Sequence, residues 1–130
     1  MPSKTLNVAL WIVQVLLAAA FGMAGVMKSL QPLDALGQNM AWVRDVPPAM
    51  VRFIGISELA GAVGVVLPWV TGIKPMLTPL AAAGLAVIMV LAAAFHISRG
   101  EPSALPFNLV LGGLAAFVAW GRWASVVRRP

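Results

Sequence analysis

The sequence contains no cysteine and a single histidine, His96. The first absence excludes disulfide exchange, thiolate catalysis and thiolate metal sites, and it removes cysteine usage as a guide to redox compartment. The second excludes a haem held by two histidines of one chain and leaves a zinc site short of its three or four ligands. No metal site is expected and the residues assign no cofactor. Any redox chemistry has to be borrowed from a ligand or a partner.

Charge is scarce as well. Charged residues make up 10% of the 130 positions and hydrophobic residues 61%, against about 25% and roughly 45–50% in an ordinary soluble domain. A soluble core of this size cannot hide so much apolar surface. The net charge of +5 does not point to nucleic acid, because the basic residues stand singly at the ends of apolar runs instead of clustering on a polar surface.

What fills the chain is four apolar runs, each near the ~20 residues needed to cross a hydrocarbon layer. The first, Leu6 to Met27, is stopped by Lys28 and Gln31-Pro32. Lys4 and Ala18-Ala19-Ala20 resemble parts of a signal peptide, but the run continues well past that site, so retention is expected. The second, Met50 to Val70, follows Pro47-Pro48 and contains Arg52 and Glu58. The third, Pro75 to Ile97, opens on a proline, where a missing amide hydrogen costs little. The fourth, Leu105 to Trp123, follows the polar stretch Ser98 to Ser103, runs into Arg122, Arg128 and Arg129, and carries Trp120 and Trp123, which suit an interfacial belt. The prediction is one all-α domain over residues 1–130, a polytopic four-helix membrane bundle with short loops. Only the loop over residues 29–49 is sizeable. Within it Leu33, Leu36, Met40 and Val43 recur at helical spacing, which fits either a short amphipathic helix on the membrane surface or an irregular loop.

Four spans put both termini on one side. That side carries Lys4, Lys74, Arg122, Arg128 and Arg129 with no acid, whereas Lys28, Asp34, Arg44, Asp45, Arg52, Glu58, Arg99 and Glu101 on the other side balance to zero. Because lysine and arginine favour the cytoplasmic side, the termini are expected inside, in a bacterial cytoplasmic membrane.

Antiparallel spans also bring together the end of the first run, the start of the second, the end of the third and the start of the fourth. Those ends carry Lys28, Glu58, His96 and Asn108. An ionised carboxylate in hydrocarbon costs about 2.5–3.5 kcal/mol on insertion scales, so Glu58 has to be paired, protonated or wet. Lys28 is its natural partner and His96 the second choice. On the first helix Gln14, Ala18, Phe21, Gly25 and Lys28 share one face within about 80°. Small residues around Glu58 (Ser57, Ala60, Gly61 and Gly64) and around Asn108 (Gly112, Ala115 and Ala119) let neighbouring backbones approach. Two readings stay open: a functional polar site, or an ion pair and an interhelical hydrogen bond that only fix packing. His96 is either a satisfied interfacial side chain or a proton carrier. Arg52 is expected to snorkel to the surface, Arg99 and Glu101 to form a solvated loop pair, and Gln14 to set packing or register.

These residues fall in a recognisable order: Gly25-Val26-Met27-Lys28, then Glu58-Leu59-Ala60-Gly61 with Leu67-Pro68, then His96 with Arg99-Gly100-Glu101 leading to Asn108. In this the chain resembles the DoxX-like family of small four-helix membrane proteins. The resemblance implies a polar site lined by Lys28, Glu58, His96 and Asn108. Some relatives are linked to quinone-dependent oxidation of sulfur compounds or to membrane oxidoreductase complexes, and a distant animal group acts as an assembly factor. No thiosulfate-binding or redox-centre motif is present. The site is therefore expected to bind a membrane-soluble ligand such as a quinone. The alternatives are a non-catalytic accessory or assembly subunit with a membrane-protein partner or as a homo-oligomer, and a small proton-coupled transporter. The bilayer is the expected environment, with no nucleic-acid partner.

Overall fold

A computed structural model describes residues 3–128; Arg129, counted above with the terminal charges, lies outside them. Helix α1 spans Lys4–Leu30. The hydroxyl of Ser3 caps it by accepting from the Leu6 amide at 3.1 Å, and Gln31-Pro32 ends it as expected. Helix α2, Leu33–Asn39, and a 3₁₀ turn, Ala41–Asp45, occupy the long loop, so the helical spacing there is realised as helix. Leu36 and Val43 are buried with Val51 at the start of the next helix, and Met27, Leu33, Met40 and Trp42 pack round them. The loop therefore folds back as a roof over one end of the bundle.

Helix α3, Pro48–Gly64, starts on a proline and stops short of the predicted end of its run. Pro68 is the cause, because its ring displaces the carbonyl four residues back and it has no amide hydrogen to give. The chain resumes as the short helix α4, Leu67–Thr71. Two carbonyls next to the break find side-chain donors on other helices: Thr78 Oγ1 donates to Gly64 O at 2.9 Å and Gln14 Nε2 to Val65 O at 2.6 Å. Satisfaction by neighbouring side chains is what makes a broken helix tolerable in hydrocarbon. Helix α5, Leu77–Ser98, follows Pro75, and helix α6, Leu105–Val127, follows the turn through Gly100.

Four segments, Lys4–Leu30, Pro48–Thr71, Leu77–Ser98 and Pro102–Val127, are long and apolar enough to cross a membrane. They pack in a ring, α1 against α3, α3 against α5, α5 against α6 and α6 against α1. Inside lie Leu10, Leu17, Phe21, Val65, Leu85 and Val118. Outside, Ile12, Met23, Phe53, Val90 and Leu109 are more than half exposed, which suits a lipid-facing surface and no aqueous one.

Candidate functional site

Close approach of α1 and α3 sets up the first polar group. A Cβ on Gly25 would lie 2.7 Å from the Leu59 backbone nitrogen, and one on Gly55 2.7 Å from the Lys28 Cβ. Only glycine permits that contact. It brings Lys28 Nζ to 2.6 Å from Glu58 Oε1, with the Glu58 side chain 2% exposed and that of Lys28 13%. The predicted pair thus forms as a nearly sealed ion pair. Arg52, expected to reach for the surface, donates from Nη1 to the Lys28 carbonyl at 2.9 Å, in the last turn of α1 at the loop end. A cation there satisfies one of the carbonyls left at the C-terminus of α1. The Trp42 ring roofs the pair, with its centroid 5.7 Å from Lys28 Nζ.

His96 takes a different partner from those expected. Its Nδ1 lies 3.1 Å from Glu101 Oε1, the same oxygen that accepts from Arg99 Nε at 2.9 Å. Arg99 Nη1 reaches across to Asp45 Oδ2 at 2.9 Å. The solvated loop pair is therefore the centre of a four-residue chain that ties the α5–α6 turn to the roof. The hydrogen bond from Arg99, then that from His96, hold the Glu101 carboxyl below its ordinary range; Glu101 and then Asp45 raise Arg99. Phe95 meets Trp42 edge-on, centroids 6.0 Å apart. Of the four predicted site residues, Lys28 and Glu58 bond directly, while His96 serves the loop tie.

Asn108 is 6% exposed, and its Nδ2 is buried with no hydrogen-bond partner among the described residues; Ser29 Oγ is in the same condition. Glycine contacts give the register. A Cβ on Gly112 would sit 3.2 Å from the Met89 Cβ, and Gly61 abuts Leu85. Met89 lies one turn from Leu85 toward the loop, so Asn108, one turn beyond Gly112, is near the level of Phe53, about two turns from Gly61 and on the loop side of Glu58.

A second polar group lies at the opposite end, and sequence reasoning missed it. Arg122 is 0% exposed. Its Nε donates to Gln14 Oε1 at 2.7 Å and its Nη1 to Asn7 Oδ1 at 2.8 Å. The guanidinium lies 4.5 Å from the Trp69 ring centroid and 5.6 Å from that of Trp11. The signal that could have found it is the spacing of Asn7, Trp11 and Gln14, at i, i+4 and i+7 on one face of α1. Gln14 is more than a packing residue, since it joins Arg122 to the Val65 carbonyl beside the helix break.

Fold and site together define a four-span membrane bundle with a buried ion pair beneath a tied-down loop at one end and a buried guanidinium at the other. The chain matches the DoxX-like family over residues 12–118 and belongs to that family. The matched stretch contains Lys28, Glu58, His96 and Asn108, and leaves Asn7 and Arg122 outside. No curated protein and no solved structure matches the chain.

Proposed function

We propose that the loop end of this DoxX-like bundle binds a membrane-soluble carbonyl compound of the quinone class and so serves a redox-associated role. The observation that carries the reading is Asn108, whose Nδ2 is buried without a hydrogen-bond partner. A buried amide donor in that state costs about 1–3 kcal/mol, and a ligand carbonyl would relieve it. Lys28 adds capacity, because an ammonium has three donors and its hydrogen bond here goes to Glu58. Trp42 adds an aromatic face beside Lys28. Solvent extraction of the chain purified in mild detergent should release a quinone enriched over bulk lipid. Asn108→Leu should lower that yield about fivefold to tenfold, the worth of one hydrogen bond. No enrichment would overturn the reading. A tightly copurifying membrane protein without quinone would favour an accessory subunit, a reading supported by the mutual satisfaction of Lys28 and Glu58.

We infer further that the termini face the cytoplasm of a bacterial cell. By position in the sequence Lys4, Lys74, Arg122, Arg128 and Arg129 fall on the terminal side against Lys28, Arg44, Arg52 and Arg99 on the other, and the larger basic set, with no acid beside it, favours the inside. In this cysteine-free chain, Ser103→Cys should react with an impermeant thiol reagent applied to intact cells and Ser3→Cys should not. The reverse pattern would sink the assignment.

A further inference from the structure

The loop-end cluster is covered from above by Trp42 and the Asp45–Arg99 tie and closed along the α1–α3 seam by Gly25 and Gly55. A ligand arriving from the bilayer therefore needs another way in, and one carrying a long hydrocarbon tail needs somewhere to leave that tail. The α3–α5 seam offers it. A groove of about 370 Å³ runs there between Ser57, Ala60 and Gly61 on α3 and Ala81, Gly84 and Ile88 on α5, within the range of ligand pockets. Gly84 and Ala60 are exposed on its outer side, and a Cβ added to Gly84 meets nothing within 4 Å.

The direction of the groove matters as much as its volume. Gly61 abuts Leu85 and Gly64 abuts Ala81, so in this antiparallel pair Ser57 and Ile88 mark the end nearer the loop, close to the middle of the spans, and Ala81, near the start of α5, marks the end nearer the termini. Ser57 immediately precedes Glu58, and Gly61 lies about 60° round the helix from Glu58. The groove thus starts on the α3 face next to the one that carries Glu58 and runs through the terminal half of the hydrocarbon layer. Its one polar side chain is already occupied, because Ser57 Oγ donates to the Phe53 carbonyl at 2.8 Å. An apolar trough that leads away from a polar cluster and stays within the hydrocarbon layer fits a hydrocarbon chain and no polar occupant.

We propose that the α3–α5 groove holds the isoprenoid or alkyl tail of the ligand whose carbonyl head sits at Lys28, Glu58 and Asn108, so that the binding site selects tailed lipid-soluble quinones. The inference rests on the quinone reading above and adds tail recognition to it. Gly84→Leu fills the groove from a position where the first added carbon meets no neighbour, and Gly84→Ala adds that carbon alone. Binding is measured in nanodiscs of uncharged lipid, with two benzoquinones of identical ring, one bearing a tail of several isoprene units and one bearing methyl in its place. Gly84→Leu should weaken the tailed quinone about tenfold and the tail-less one less than about twofold, with Gly84→Ala near wild type for both. An unchanged affinity for the tailed quinone, or equal losses for both, overturns the groove assignment and leaves the head site standing. Failure of both quinones to bind the unaltered chain overturns the head site and the groove with it. Thermal unfolding confirms that the variant folds. If Gly84→Leu does not fold, Ala60→Leu fills the groove from the facing helix and is judged by the same outcomes.

Discussion

Lys28→Met is expected to lower the unfolding free energy of the bundle by about 2–4 kcal/mol, because it leaves the Glu58 carboxylate buried without its cation. Glu58 is 2% exposed and receives its hydrogen bond from Lys28 Nζ at 2.6 Å. Water cannot take the place of the ammonium without opening the α1–α3 seam. Glu58→Gln should cost less, about 1–3 kcal/mol, since a glutamine oxygen still accepts a hydrogen bond but no longer balances the charge. The double variant should lose less than the sum of the two, by at least about 1 kcal/mol, because neither uncompensated charge survives in it. Unfolding in mixed detergent micelles with a denaturing detergent, followed by tryptophan emission, measures all four corners. Strictly additive losses would show that the pair does not couple. Any ligand that hydrogen-bonds to Lys28 should narrow the gap between wild type and Glu58→Gln, which links the stability measurement to the proposed binding role.

Legibility differed between the two ends of the bundle for identifiable reasons. Lys28 and Glu58 could be paired on paper because one helix ends where the next begins, and two opposite charges in an apolar setting have few other partners. The roof helix was visible in the spacing of Leu33, Leu36, Met40 and Val43. His96 could be read as a satisfied interfacial side chain, but its partner was not legible, because Glu101, five residues on, sits across the Gly100 turn and captures the imidazole locally. The helix break was hidden because Pro68 near the end of an apolar run looks like a terminus. What it does is uncap carbonyls at Gly64 and Val65, and this gives Thr78 and Gln14 their work. Arg122 was hidden by position. A basic residue late in the last span has the placement of an interfacial charge, and nothing local contradicts this. Its neutral partners come from the far end of the sequence: Gln14 is 108 positions away and Asn7 is 115. Asn108 could be placed one turn into the fourth span but not known to lack a partner, which only packing reveals.

Arg122→Leu is expected to destabilise the bundle by about 2–4 kcal/mol, a loss set by two opposing effects. Removing the guanidinium takes the donors from Gln14 Oε1 and Asn7 Oδ1 and ends its cation–π contact with Trp69. Each buried acceptor left without a donor costs about 1–3 kcal/mol, and a desolvated cation–π contact is worth about 2 kcal/mol. Relief of the cost of burying a charge offsets part of this. Arg122→Lys separates geometry from charge. A guanidinium sends Nε and Nη1 to two acceptors while its centre lies 4.5 Å from the Trp69 ring centroid, which one ammonium cannot do, so lysine should recover less than half of the loss. Full recovery by lysine would mean that the charge alone matters, and no loss in Arg122→Leu would mean that the network contributes nothing. Trp69 and Trp11 provide a local check, since their emission should shift when the cation leaves. Gln14 and Lys28 are fourteen residues apart on one helix, roughly 21 Å. Quinone binding at the loop end should therefore survive Arg122→Leu in folded protein, whereas Lys28→Met should abolish it. Equal loss of binding in both variants would show that the two ends act as one unit.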